Sequence, residues 1–422
     1  MGLLEPLTHK EEIENLLNEA QTTYDQSKDK FESQKKKTTK SLEKLGKVKV
    51  KAWSDGMNSF VDNFKAFNNI EVVQTVDTNM NFIGSDEEPK EIIVNMEQAS
   101  LTATEVAKVG AAAIGTGALV GIASYGGAMM FGAASTGTAI AALSGAAKTN
   151  ATLAWFGGGA KAAGGLGIVG GKVVLAGLVV APVIAIAAVI GSSKAKEKLA
   201  EAKKINAEAK DAAAKMDVMT TGMNGIEKMS DNYSNFIQKL NKKFKPFIRE
   251  MERIRGAHPM PSGEQIDFNT LTNVEQKTLH LSWLMAQIYY HVLSTPIMTS
   301  KGEVSSDAGK VLSVADKEYK QFRKDTYKMS GDDAKAADLL WRSSANNMTV
   351  LGFAQVVIFI VCAIALGTGI VSKIIFIGGA VIAFPIFFKF RDMPASKLYT
   401  WRKVRCISAL AFVVMMHILM GV

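Results

Sequence analysis

Sulfur cross-links have almost no place in this chain. Its 422 residues include only two cysteines, Cys362 and Cys406, both in or beside apolar C-terminal segments. No disulfide framework follows, and a reducing compartment suits the polar part of the chain. Histidine is nearly as scarce. His9, His258, His280, His291 and His417 are scattered, without the H-E-x-x-H spacing of a zinc site. His280 and His291 fall on one face of an apolar helical pattern, where a satisfied core pair is expected. The phosphate-cradling loop G-x-x-x-x-G-K-[S/T] is missing. Gly167-x-x-Gly170-Gly171-Lys172 has the wrong spacing, and Val173 stands where a hydroxyl belongs. Gly165-x-Gly167 opens no strand–turn–helix unit, and G-x-S-x-G is absent. Asp86, Glu87 and Glu88 read as a solvated loop. No catalytic residue, cofactor or metal is expected, and the chain reads as non-enzymatic.

Acidic residues are missing altogether between Val109 and Ser193, where Lys148, Lys161 and Lys172 are the only charges. More than half of the chain's 36 glycines lie there. A helix with no polar face is buried in protein or immersed in lipid. Each glycine weakens an isolated helix by about 1 kcal/mol relative to alanine, so this density makes sense only where close backbone packing offsets the loss. Gly117-x-x-x-Gly121 and Ala128-x-x-x-Gly132 have the spacing of a glycine zipper that lets membrane helices approach. Gly137, Gly145, Gly157, Gly158, Gly159, Gly164 and Gly165 complete the set expected to pack helices or enter the membrane. Four apolar helical pieces are expected, roughly 100–124, 128–147, 150–168 and 172–191, each at or just below the ~20 residues that cross a bilayer.

The formal net charge is +9, and much of the excess flanks apolar segments. Anionic lipid headgroups fit that placement. No basic stripe with interleaved aromatics offers base stacking, so nucleic acid is not an expected partner.

From the N-terminus, MGLLEPLTHKEEIENLL lacks a basic start followed by an apolar core, and no signal peptide is expected. Pro6 replaces the hydroxyl residue of a myristoylation motif. Thr8-x-x-Glu11 fits a capping box. Ile13, Leu17, Ala20, Tyr24, Ser27 and Phe31 then recur at heptad spacing, and the beat runs on to Leu45 and Val48. A break is expected between Gly46 and Gly56, followed by an apolar stripe of Trp53, Met57, Phe60, Phe64 and Phe67. That stripe reads as a helix packed on its neighbour, with a membrane-binding aromatic face as the alternative. Residues 70–95 read as a linker or short hairpin, and a helix restarts near Pro89.

After Ser193 a long amphipathic helix places Leu199, Met216, Met223, Ile226, Tyr233, Phe236, Leu240, Phe244, Phe247, Met251 and Ile254 on one face. It is the expected coiled-coil partner of the N-terminal helix, with Pro246 able to kink it. His258 to Gly263 is a linker. Thr272-x-x-Glu275 is a second capping box that opens an apolar helix ending near Pro296. Two amphipathic helices follow, about 304–329 and 332–347.

Val350 to Ser372 carries no charge over 23 residues, which meets the requirement for a membrane-spanning helix. Shorter apolar segments follow at Ile374 to Phe388 and Ile407 to Val422. Between them lie Lys389, Arg391, Lys397, Arg402, Lys403 and Arg405 against Asp392 alone. By the positive-inside rule this loop is cytoplasmic, which puts the large N-terminal part in the cytoplasm of, most simply, a bacterial inner membrane.

The run from Ser135 through Ala147 and Ala151 to Ala160 resembles a Gly/Ala-rich block of bacterial hydrophobic-hairpin membrane proteins. More loosely, a long helix, apolar hairpins and a second long helix over residues 10–255 look like apolipoprotein-L-like proteins and α-helical pore-forming toxins. The resemblance implies conditional insertion and membrane permeabilisation, as in a toxin or defence effector. The expected absence of a secretion signal and the expected C-terminal anchor are departures from it. No functional residue is carried across.

The expected architecture is all-α. Residues 1–95 supply a long helix and linker, 96–192 the apolar block, 193–256 the second long helix, 257–348 a small helical domain and 349–422 a transmembrane anchor of about three segments. The long helices are expected to pair antiparallel as a coiled coil around Gly/Ala hairpins. The expected function is a membrane-inserting, pore-forming effector partnered by anionic lipid and by a second copy or a coiled-coil protein. A membrane-anchored scaffold with a permanent Gly/Ala bundle is the alternative, and a channel or transporter subunit is a third reading.

Overall fold

Long stretches rich in Ala, Lys, Glu, Met and Leu, with apolar residues every three or four positions, favour helix over strand. The computed structural model accordingly shows an all-α protein. It describes residues 5–70, 89–109, 119–124, 195–261, 263–298, 303–341 and 397. Helix α1 is Glu5–Lys51; a π-helical turn, Ala52–Met57, joins it to α2, Asn58–Phe64. Strand β1 is Phe67–Asn68 and α3 is Pro89–Val109; α4 covers 119–124 and α5 is Ala195–Ala257. Then come β2, Ile266–Asp267, a 3-10 turn, Phe268–Thr270, α6, Asn273–Ser294, α7, Ser306–Lys328, and α8 over 331–341.

Two compact units emerge. The first comprises Met1–Val61, Ile83–Asn241 and Tyr289–Asp316, and the second Asp62–Phe82, Lys242–Ile288 and Lys317–Val422.

The first unit is built on α1 and α5. Their seam buries Ala20, Tyr24 and Phe31 against Ile205, Ala209, Met216 and Met223, flanked by Ile13, Leu17, Ala212 and Met219. Direction is read from the polar contacts along that seam. Glu12 pairs with Lys203 at 3.1 Å and Glu19 with Lys210 at 2.8 Å. Further on, the Thr38 hydroxyl donates to the Met223 carbonyl at 3.0 Å, and the Ser230 hydroxyl to the Ser41 carbonyl at 3.0 Å. Both chains therefore advance together, so the helices run parallel and the antiparallel expectation is corrected.

The reason is electrostatic. Residues 5–25 hold six acids against one lysine, whereas 28–51 hold ten lysines against three acids. The first stretch of α5, 195–215, has six lysines against four acids. Antiparallel pairing would set the two lysine-rich stretches side by side; parallel pairing sets the acidic start of α1 beside the basic start of α5. Apolar spacing is the same for either direction, so charge decides.

In the same unit α3 buries Ile92, Met96, Ala99, Ala103 and Val106 and packs on α1 and the π-helical turn. The expected break between Gly46 and Gly56 is a change of winding, since helix continues from α1 through the π-turn into α2. Trp53 is fully buried and meets Tyr290 edge-on, ring centroids 6.1 Å apart. Met57 and Phe60 of this unit, and Phe64 and Phe67 of the second, are buried too, so the aromatic stripe is core rather than a membrane-facing surface. The backbone at Thr8 already lies inside α1, which begins at Glu5, so the helix does not open at the expected capping box.

In the second unit Phe64 stacks on Trp283 with centroids 5.5 Å apart. Strands β1 and β2 pair in parallel, Phe67 opposite Ile266 and Asn68 opposite Asp267. Phe244, Phe247, Met251, Ile254, Leu279 and Phe322 fill the core. The capping box at α6 forms as expected: the Thr272 hydroxyl and amide donate to Glu275 at 2.8 and 3.0 Å, and the Glu275 amide reaches the hydroxyl at 3.4 Å. Helix α5 runs through Pro246 to Ala257.

Candidate functional site

Of the residues expected to pack helices or enter the membrane, Gly121 is described, half-buried in α4. Of the basic loop, Lys397 is described and is exposed. Gly117, Gly132, Gly137, Gly145, Gly157, Gly158, Gly159, Gly164, Gly165, Lys389, Arg391, Arg402, Lys403 and Arg405 lie outside the described residues, as do the three C-terminal apolar segments. Among the described residues, no helix is long and apolar enough to cross a membrane, and no cluster of three His, Cys, Asp or Glu side chains could hold a metal.

The structure draws attention instead to α4, the last described helix before the Gly/Ala-rich residues 125–193. Four contacts fix it, all within the first unit. At Gly46 of α1 the backbones come so close that a Cβ there would meet the Leu119 carbonyl oxygen at 2.2 Å, so only glycine fits. Three residues on, the Lys49 ammonium nitrogen donates to the Ala123 carbonyl at 3.4 Å and to the Thr295 carbonyl at 3.1 Å. The Ser124 carbonyl accepts from the amides of Ile297 and Met298 at 2.9 and 3.2 Å. An antiparallel bridge between Met298 and Val304 holds that last strand-like piece in place.

Lys49 is the unusual member. It is 0% exposed, and burial pushes its pKa down to about 7. The Tyr233 ring lies 5.9 Å from its nitrogen, and the Tyr233 hydroxyl donates to the Ala308 carbonyl at 2.8 Å. Burial raises the Tyr233 pKa, a hydrogen bond with Thr295 notwithstanding, so the phenol stays neutral beside the amine. His291, one turn before Thr295, is also held toward its neutral form by burial. A buried lysine without a carboxylate is costly. What it gains here is two carbonyl acceptors on two separate segments, which makes it a clasp. The enclosed amine thus ties α4 and the segment at Thr295 to α1.

The expected core pair of histidines separates into two settings. In the second unit His280 is buried against Phe268, ring centroids 5.0 Å apart. In the first, His291 Nε2 has no hydrogen-bond partner among the described residues. Sequence reasoning missed Lys49, although Leu42, Leu45 and Lys49 follow the buried spacing of α1 and put a lysine at a core position.

No protein-family model, curated protein or solved structure matches the chain.

Proposed function

We propose that the protein is a non-enzymatic membrane effector whose Gly/Ala-rich residues 125–193 enter and permeabilise a bilayer under the control of the helical frame that precedes and follows them. The observation that carries this reading is the four-point fixation of α4. A fully buried lysine, a glycine that no other residue can replace and two backbone amides converge on the six residues that lead into the apolar run. A permanently embedded bundle has no need of so elaborate a hold on its approach. In this reading the α1–α5 pair acts as a coiled coil, the residues from Val350 onward anchor the chain, and the large N-terminal part faces the cytoplasm.

Dye-loaded vesicles test it. The full chain should release dye, and the variant Ala128→Leu with Gly132→Leu, which blocks close helix approach within the apolar run, should not. Equal leakage from both would sink the proposal. A membrane-anchored scaffold is the second reading, favoured by Val218 of α5, which is 73% exposed on the long helical pair. A stoichiometric partner recovered with the chain, together with intact vesicles, would favour it.

A further inference from the structure

The described surface has one strongly charged, regularly spaced feature that the clasp does not use. Along α1, Lys30, Ser33, Lys37, Lys40, Lys44, Lys47 and Lys51 follow one another at alternating steps of three and four, and all are exposed. That spacing places them in a single seam along the helix. At 1.5 Å per residue the seam is about 32 Å long. Its compensation is thin. Lys44 reaches Asp231 at 3.5 Å, and Lys35, beside the seam, takes Glu32 at 3.6 Å. Asp29 and Glu43 are the remaining acids of residues 28–51. Holding so many like charges on one helix face favours an external anion.

We propose that this seam is a docking surface for anionic phospholipid headgroups, laying α1 along the membrane surface. The inference rests on the membrane reading above and adds where and through which residues the frame meets lipid.

Two features select lipid over other anions. The residue type is the first: residues 1–51 contain no arginine, and Phe31 is buried in the α1–α5 seam. Lysines alone give diffuse point charges on flexible stems, suited to a sheet of mobile phosphates; guanidinium forks and stacking rings, which read bases, are missing. Position is the second. Gly46 and Lys49, which hold α4, lie within the span of the seam, so the charged face and the chain that leads into the apolar run share one stretch of α1. Clustered lysines beside an apolar segment are the usual means of engaging acidic leaflets.

The test uses the full chain carrying C362S and C406S, with a fluorophore on Ser33→Cys, reconstituted into vesicles that contain headgroup-labelled lipid. Energy transfer should rise between pure phosphatidylcholine and vesicles with about 30 mol% phosphatidylglycerol. The rise should reverse in about 0.5 M salt, where screening is short-ranged. In the variant K37Q/K40Q/K47Q, whose helix content is checked by circular dichroism, the response to phosphatidylglycerol should shift to at least roughly tenfold more acidic lipid or vanish. Transfer that ignores phosphatidylglycerol, or a variant that behaves as the parent, would overturn the seam while flotation still finds the chain in the vesicles. A chain that washes off every vesicle would instead overturn the membrane reading itself. Loss of duplex-DNA binding in the variant with lipid response intact would assign the seam to nucleic acid and refute this proposal.

Discussion

The side chain of Lys49 donates to the carbonyl of Ala123 at 3.4 Å, a contact that joins residues 74 apart in sequence. Its pKa falls from the ordinary lysine value of 10.5 to about 7. Between those two values the unfolded chain binds the proton that the folded chain releases, so stability rises with pH from about 7 to 10.5 and is flat below. Lys49→Met lacks this slope. The variant should therefore unfold at higher temperature than the parent near pH 7, with the gap narrowing toward pH 10. A variant less stable at every pH would mean that the two carbonyl contacts outweigh the cost of burial.

Gly46→Ala should destabilise the protein. The added Cβ would sit 2.2 Å from the Leu119 oxygen; overpacking of this kind costs about 1–3 kcal/mol, more than the ~1 kcal/mol of helix propensity alanine brings. Gly222→Ala is the control, because nothing lies within 4 Å of its added Cβ, and it should stabilise by up to about 1 kcal/mol. Urea unfolding of the two variants measures both.

The parallel course of α1 and α5 has a covalent test. In a chain without Cys362 and Cys406, cysteines at Glu12 and Lys203 should be joined by a short bis-maleimide, because the 3.1 Å contact of the native side-chain tips puts the two positions within its reach, although beyond that of a direct disulfide. Cysteines at Glu12 and Gln238 should not. The reverse pattern, read on a denaturing gel, would mean an antiparallel pair.

Thr272→Ala removes the hydroxyl from the α6 cap and should cost about 1 kcal/mol. Burial pushes the Glu275 carboxyl up, but the hydrogen bonds from Thr272 and His258 outweigh it and hold the pKa below the ordinary value of 4.5. Glu275 therefore contributes stability above its ordinary pKa, and that contribution is lost as pH falls through the lowered value. The parent should lose more stability than the variant on acidification below pH 4.5, as thermal melts at a series of acidic pH values would report.

Much of the fold was legible because helix has a period. Ala20, Tyr24 and Phe31 on one side and Met216 and Met223 on the other were marked by spacing alone, and they meet as that spacing required. The Thr272 box was legible for the same local reason. Period says nothing about direction, so α1 and α5 were given the wrong polarity although the opposed charges of 5–25 and 28–51 held the answer. Thr8 has the composition of a cap, yet the helix had already begun at Glu5. Lys49 was hidden by its residue type: a lysine in a run of lysines reads as surface until tertiary contacts enclose it.

The parallel pairing also sets a ruler. Ser124 follows Ala123, which touches α1 at Lys49, whereas α5 begins at Ala195, before the residue that meets Glu12. At 1.5 Å per residue, Lys49 and Glu12 are about 55 Å apart along α1, nearly twice the ~30 Å depth of a bilayer's hydrocarbon. The described chain thus leaves this helix pair at one end and rejoins it at the other. Stood upright, the pair would lift one of those two points clear of any membrane the other touched. Laid flat on the bilayer proposed above, it would offer both to the same leaflet, two moorings set apart along a single quay.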